Sequence, residues 1–210
     1  MNSELIVPLL AATVQSGTPI LFATLGEIVC EKSGILNLGV EGMMLIGALT
    51  AFRTTLATGS PLVGLALGAL AGLTLAAAHG AVCIVFQGNQ VVSGLAVTIL
   101  GTGLANYLGT PYIGTGIGGF GKMALPVLSH IPLAGPVLFH QDAMVYLSYA
   151  LVPVLWLYLQ HTRWGLRLKA TGENPDAAAA AGVHVIRYRW FACLLYTSDA
   201  ADERGGVVVG

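Results

Sequence analysis

The sequence predicts an all-α fold, a polytopic helical membrane protein of about five transmembrane helices. Three observations carry this prediction. Of the 210 residues, 55% are hydrophobic and only 9% are charged, whereas a soluble domain carries about 25% charged residues. Long uncharged runs occur at the length of a membrane span. The net charge of −1 excludes the basic field that binding to nucleic acid needs.

The gaps between charged residues define the spans in order. No charged residue lies between Arg53 and Lys122, and the polar segment 87–90 divides that stretch into two spans. These runs do not alternate polar and apolar residues, which excludes a membrane β-barrel. The five predicted spans lie between Glu4 and Glu27, between Lys32 and Arg53 (interrupted by Glu41), and at about 61–86, 91–108 and 143–160.

Lysine and arginine residues predict the orientation of the chain. Alternate connections between spans lie on the same side of the membrane. The first, third and fifth connections carry six positive residues, whereas the second and fourth carry two, Arg53 and Lys122. Positive connections stay in the cytoplasm, so we expect loop 161–189 inside and the N-terminus outside. The six are Lys32, Arg163, Arg167, Lys169, Arg187 and Arg189.

The sequence predicts no catalytic, cofactor or metal site. Cys30, Cys83 and Cys193 have no CxxC spacing, so we expect buried, inert thiols. The glycine-rich connection 110–141 lacks the spacing of a phosphate-binding loop. It is expected to be an external loop with short re-entrant pieces.

The segment GENPDAAAAAG predicts a short helix on the positively charged side. Asn174 is a suitable N-cap, Pro175 suits the first helical position, and Asp176 lies in the first turn. Gly182 supplies the stop. A helix of about two turns is not stable by itself, so it needs a docking partner. A solvent-exposed connecting helix and a basic loop on lipid headgroups are the alternatives.

Three motifs resemble a known family of membrane proteins. They are LGEIVCEKSGILNLGVEGMMLIGALTAF, NQVVSGLAVTILGTGL and TRWGLRLKATGENPDAAAAAGVHV. Together they resemble the permease subunit of bacterial ATP-binding-cassette (ABC) importers, in the subgroup with ribose and branched-chain amino acid permeases. The likeness is greatest to permeases of nucleoside or simple-sugar importers of the basic membrane protein type, and it covers residues 1–192.

The resemblance implies a function and a set of partners. The chain would form part of the path for a small polar solute, a nucleoside or simple sugar, in the bacterial inner membrane. The expected partners are a separate ABC ATPase subunit, a second permease subunit, related or identical, and an extracellular substrate-binding lipoprotein. The cytoplasmic Gly-x-Asn-Pro helix would be the coupling helix that docks on the ATPase. Its residues here are Gly172, Glu173, Asn174, Pro175, Ala178, Ala179 and Gly182.

Four polar residues are candidates for the translocation path. Glu41 lies inside an apolar span, where a carboxylate indicates function by default. Asn37 precedes it by four residues, so the two can line an unwound segment or form a buried structural pair. Asn89 and Gln90 lie at a span boundary, where either a path role or helix capping is open.

Two other functions compete with an ATP-driven importer. An ion-coupled secondary transporter would use intramembrane acidic or histidine residues as an ion relay, for which Glu41 and His79 offer thin support. A non-transporting membrane scaffold is the second. Neither gives the GENPDAAAAAG segment a role.

The character of the chain changes after Ala192. The run CLLYTSDAADE can be encoded, codon for codon, by a transposase-type sequencing adapter. We therefore expect the permease domain to occupy residues 1–192, its N-terminal part only, and residues 193–210 to be an adapter-derived tail.

Overall fold

The computed structural model describes residues 3–116, 122–124 and 137–199. Helices dominate these residues, and one antiparallel pair of three-residue strands joins β1 (Lys122–Ala124) to β2 (His140–Asp142). A π-helical turn, Ala81–Val85, extends α3, and a 3-10 turn, Thr110–Tyr112, follows α4. The helices are α1 (Ser3–Lys32), α2 (Val40–Thr58), α3 (Pro61–Gly80), α4 (Gln90–Gly109), α5 (Ala143–His161), α6 (Arg163–Glu173), α7 (Pro175–Ala180) and α8 (Val185–Asp199).

Four of the described helices are long and apolar enough to cross a membrane. They are Ile6–Lys32, Pro61–Val85, Gln90–Tyr112 and Ala143–His161, and they confirm the first, third, fourth and fifth predicted spans. The second predicted span corresponds to α2, which is 19 residues long but is not among the four.

The start of the second predicted span was wrong. The chain leaves the helix after Lys32 and re-enters one only at Val40. Gly34 has φ of +83°, a left-handed conformation that favours glycine. The Asn37 side chain accepts a hydrogen bond from the Gly39 backbone N–H at 3.0 Å, which stabilises a turn instead of a helix. Residues 33–39 are therefore a loop.

Small residues allow α2 and α3 to pack closely. The buried face of α3 carries a small residue at every fourth position from Gly64 to Gly80, the spacing typical of close contacts between membrane helices. A Cβ atom added to Gly64 would lie 2.7 Å from the carbonyl oxygen of Ala51 and would also contact the Thr55 hydroxyl. A larger side chain at Gly64 would therefore separate the two helices.

Helices α2 and α4 are in backbone contact. A Cβ atom added to Gly42 would lie 2.8 Å from the Cα of Thr98, and one added to Gly101 would lie 2.5 Å from the Cα of Gly42. The two helices are thus held as a pair with no side chain between them at this crossing, and Met43 and Val97 are buried beside it.

Helix α8 packs between α1 and α3. Ala192 is buried together with Val29 and Leu168, and Cys193 is buried with its thiol 3.5 Å from the carbonyl oxygen of Ala76. Ala192 therefore lies inside a helix that continues to Asp199. The predicted boundary at Ala192 stays a prediction, and residues 200–210 lie outside the described part of the chain.

Alternate connections meet at the same end of the helices. At one end, loop 33–39 contacts Gln90 and Gly172, which lies in the last turn of α6. This is named the α7 end. At the opposite end, the Arg53 guanidinium lies 5.7 Å from the centre of the Tyr112 ring. The predicted re-entrant pieces of connection 110–141 lie outside the described residues.

Candidate docking and coupling site

Helix α7 begins as the sequence predicts. Asn174 is the N-cap, with φ −149° and ψ 92°, and its side-chain oxygen accepts a hydrogen bond from the Ala177 backbone N–H at 2.9 Å. Pro175 occupies the first helical position and Asp176 the first turn. The cap satisfies one of the amide groups that a helix start leaves without a partner.

The end of α7 is equally well defined. Gly182 has φ of +82°, and its N–H donates to the carbonyl oxygen of Ala179 at 2.9 Å. The Val183 N–H donates to the carbonyl oxygen of Ala178 at 3.0 Å. A left-handed glycine whose N–H, together with the next N–H, bonds back to carbonyl groups of the last turn is the Schellman motif, a common helix end. The predicted short helix is therefore confirmed.

Most of α7 is exposed on the surface. Ala178 is the exception, because it is only 5% exposed and anchors the helix to the protein. Pro175 is half-buried. The exposed residues on and beside the helix are Glu173, Asn174, Asp176, Ala177, Ala179, Ala180, Ala181 and Gly182.

Gly172, a predicted coupling residue, faces the protein interior. A Cβ atom there would lie 2.5 Å from the carbonyl oxygen of Lys32 and 3.0 Å from the backbone nitrogen of Gly34. Gly172 and Ala178 therefore hold α7 against the protein. Glu173, Asn174, Ala179 and Gly182 are the predicted coupling residues that a partner could touch without a rearrangement.

Basic residues flank α7 along the chain, in segments 163–169 and 187–189. Arg163, Arg167 and Arg187 are exposed. The Lys169 amine donates to the side-chain oxygen of Gln160 at 2.8 Å, and the guanidinium of Arg189 donates to the Ser33 carbonyl oxygen at 3.4 Å. The docking helix is therefore small, carries one acidic residue, Asp176, and lies between two basic segments of the chain.

Asn37 is fully buried in loop 33–39, at 1% exposure. Its backbone N–H donates to the Glu27 carboxylate at 3.2 Å, and its side-chain amide lies 3.7 Å from the Met43 sulfur. The considered pairing of Asn37 with Glu41 is wrong, because Glu41 is exposed in the first turn of α2 while Asn37 bonds elsewhere.

Asn89 and Gln90 have different structural roles. The Asn89 side chain caps α4 by accepting from the backbone N–H groups of Val91 and Val92 at 3.0 and 3.1 Å. The Gln90 side-chain oxygen accepts from the Leu36 backbone N–H at 2.8 Å. Gln90 thereby ties loop 33–39 to the start of α4.

Comparison with known proteins decides the family. The model of the branched-chain amino acid transport system / permease component family matches residues 9–201. The chain belongs to this permease family. With its membrane-length helices, the chain is a multi-pass membrane protein.

Relatives of the permease are named as transport subunits for sugars and nucleosides. "Putative glucose ABC transporter permease protein TsgC13" of Haloferax volcanii is 44% identical over 191 residues, covering 89% of this chain and 58% of the relative. The nucleoside ABC transporter permease protein NupC of Lactococcus lactis is 32% identical, covering 91% and 63%. The guanosine ABC transporter permease protein NupQ of Bacillus subtilis is also 32% identical, with the same coverage.

The permease chain spans about 60% of the length of these curated relatives, from 58% to 63%. No solved structure matches it.

The thiols of Cys30, Cys83 and Cys193 are free and buried, which confirms their predicted burial. Within residues 3–116, 122–124 and 137–199, no group of three or more His, Cys, Asp or Glu side chains is arranged to hold a metal ion.

Sequence reasoning missed Glu27. It treated this residue as the boundary of the first span, whereas one carboxylate oxygen accepts from Asn37 and the other is buried without a hydrogen-bond partner. A carboxylate within a membrane-length helix is costly. The signal available in the sequence was the continuation of the apolar run through Ile28, Val29 and Cys30, which places Glu27 inside the helix.

Proposed function

We propose that the chain is the membrane-spanning subunit of an ATP-driven importer for a small polar solute, a nucleoside or a simple sugar. Membership of the permease family supports the transport role. The names of the relatives, which refer to glucose, nucleosides and guanosine, support the solute class.

The proposed importer couples to a separate ATPase subunit through residues 172–182. The observation that carries this proposal is helix α7 itself. It has only six residues and a single buried alanine, Ala178, yet it is capped at both ends, and basic segments precede and follow it in the chain. A helix this short gains little stability from its own contacts, and its exposed alanines offer a flat apolar face for a groove in a partner.

The proposed mechanism is a two-state shift. A substrate-binding lipoprotein delivers the solute at the end that carries Tyr112, and ATP-driven closure of the ATPase subunits pushes on α7. The helices then shift from an outward-open to an inward-open arrangement, because the ATP-bound partner has a different affinity for each arrangement. Asn37, Glu41, Asn89 and Gln90 are the proposed polar residues of the path near the α7 end.

We place the α7 end in the cytoplasm, with the N-terminus outside and the chain in the bacterial inner membrane. The excess of Lys and Arg in the connections of the α7 end supports this orientation. A second permease subunit, related or identical, completes the proposed path, and residues 1–192 are the proposed permease part of the chain.

Substitution of Ala180 tests the docking of the ATPase. Ala180 is exposed on α7, so Ala180→Arg adds a bulky charge to the docking face with no effect on the core. We expect affinity for the ATPase subunit to fall about tenfold or more, the scale of one well-packed interface residue. ATP-dependent uptake of labelled guanosine, glucose or ribose by proteoliposomes should fall in parallel.

The matched control is Ala57→Arg, which changes an exposed alanine near the opposite end. It should leave the affinity for the ATPase subunit unchanged. Normal ATPase binding and uptake in Ala180→Arg would refute coupling through α7. A wild-type complex that imports none of the three solutes would refute the proposed solute class.

A further inference from the structure

We infer that loop 33–39 is the joint through which movement of helix α7 reaches helix α4, and that Gly172 and Gln90 are its positioning residues. This inference rests on the proposed function, because it describes how a partner docked on α7 would move the helices of the solute path. The term "joint" below means residues 33–39 with these two contacts.

The joint contacts the last turn of α6, which leads directly into the docking helix, and it does so through the backbone. Gly172 lies three residues before Pro175, the start of α7. With no side chain at Gly172, this segment approaches the Lys32 carbonyl oxygen and the Gly34 nitrogen so closely that an added Cβ would lie 2.5 and 3.0 Å from them. Backbone atoms cannot change rotamer to absorb a displacement, so a shift of α7 is passed directly to residues 32–34.

On its other side, the joint contacts the first two turns of α4, between Gln90 and Thr98. The Leu36 N–H donates to the Gln90 side-chain oxygen at 2.8 Å. The Thr98 hydroxyl donates to the Leu38 carbonyl oxygen at 2.8 Å. A Cβ added to Gly94, between these two contacts, would lie 2.9 Å from the Leu38 nitrogen. Movement of the loop therefore acts on α4 directly.

The loop between these contacts is stiff. Ile35 is 2% exposed and Asn37 is 1% exposed. The Asn37 side chain bonds to the Gly39 N–H, and the Glu27 carboxylate bonds to the Asn37 N–H. A flexible loop would absorb a displacement of α7, whereas a loop fixed at its centre carries the displacement across.

The test separates ATP hydrolysis from solute movement. Gln90→Met keeps the length of the side chain but removes the acceptor for the Leu36 N–H. In the reconstituted complex with the ATPase subunit and lipoprotein, we expect normal assembly and ATP hydrolysis but at least about fivefold less solute taken up per ATP, the range of an ordinary coupling between sites. Gln90→Glu, which keeps an acceptor, should restore the ratio.

Gln15→Met is the matched control. It also removes a glutamine hydrogen bond, the 2.6 Å bond from the Gln15 side-chain nitrogen to Asp142, but far from α7. The ratio of uptake to ATP hydrolysis should stay at the wild-type value. An unchanged ratio in Gln90→Met, or an equal fall in Gln15→Met, would overturn the joint.

A second measurement does not depend on transport. Leu38→Cys introduces a thiol at a position that is 41% exposed, whereas the native cysteines are at most 9% exposed. Its labelling rate with a water-soluble maleimide should change by about fivefold or more when ATP is added to the complex. Gly172→Ala should abolish the change, while Gly103→Ala, where an added Cβ meets nothing within 4 Å, should preserve it.

The two proposals fail in different ways. A complex that hydrolyses ATP and changes the labelling of Leu38→Cys, but imports no nucleoside or sugar, contradicts the proposed solute while it supports the joint. A complex with normal import and a labelling rate that ATP does not alter contradicts the joint alone.

Discussion

At the scale of single residues, Asn174 decides whether the docking helix is formed before a partner arrives. Its side chain bonds to the Ala177 N–H at 2.9 Å. Asn174→Ala removes that bond, and we expect a loss of about 1 kcal/mol in the stability of α7. Hydrogen exchange of the amides in 177–181 should accelerate by several-fold, and ATPase binding should weaken.

Asn174→Asp is the control for this prediction, because aspartate caps a helix as well as asparagine does. Its exchange rates should match those of the wild type. If the amides of Asn174→Ala exchange as slowly as those of the wild type, then the packing of Ala178, and not the cap, forms the helix.

The same local chemistry explains why α7 could be predicted from the sequence. A cap, a proline at the first helical position and a glycine stop act over a few residues, so their order in the chain is sufficient evidence. The contact of Gly172 with Gly34 could not be predicted in this way. It joins residues far apart in sequence, and it depends on how α1 and α6 pack.

At the scale of elements, the sequence predicted the position of loop 33–39 but not its contacts. Glycines at 34 and 39 indicate an unwound segment, and the structure has one there. The partner of Asn37 was wrong, because helical spacing favours Glu41, four residues on, whereas the loop turns Asn37 back towards Glu27 on α1. Once a helix is broken, spacing along the chain no longer predicts contacts.

The attachment of this loop to α1 can be tested at Glu27. Glu27→Leu removes the acceptor for the buried Asn37 N–H and leaves that donor without a partner, at a cost of about 1–3 kcal/mol. We expect the free energy of unfolding to fall by that amount. The introduced thiol in Leu36→Cys, a position 42% exposed, should react faster with maleimide when combined with Glu27→Leu.

Glu27→Gln provides the comparison, since its amide oxygen can still accept from Asn37. Stability and the labelling rate at position 36 should stay close to the wild-type values. Equal destabilisation by both substitutions would show that the negative charge of Glu27, and not its hydrogen bond, holds the loop.

At the scale of the whole molecule, the connections form two groups at opposite ends of the helices. The docking helix, loop 33–39 and Gln90 share one end, and Arg53 and Tyr112 lie at the other. Charge gaps predicted this alternation, since each span reverses the direction of the chain. They could not predict the close backbone contacts between α2, α3 and α4, which arise from glycines on facing helices.

The orientation of these two ends in the membrane is testable with one cysteine at each. Ala180→Cys lies on exposed α7 and Ala57→Cys lies on the exposed end of α2, while the native thiols are buried. The α7 end collects the Lys and Arg residues that favour the cytoplasm. In intact cells, a membrane-impermeant maleimide should label Ala57→Cys, and Ala180→Cys should react only after permeabilisation. The reverse labelling pattern would contradict the proposed orientation, and it would also contradict coupling through α7, because α7 could then not meet a cytoplasmic ATPase.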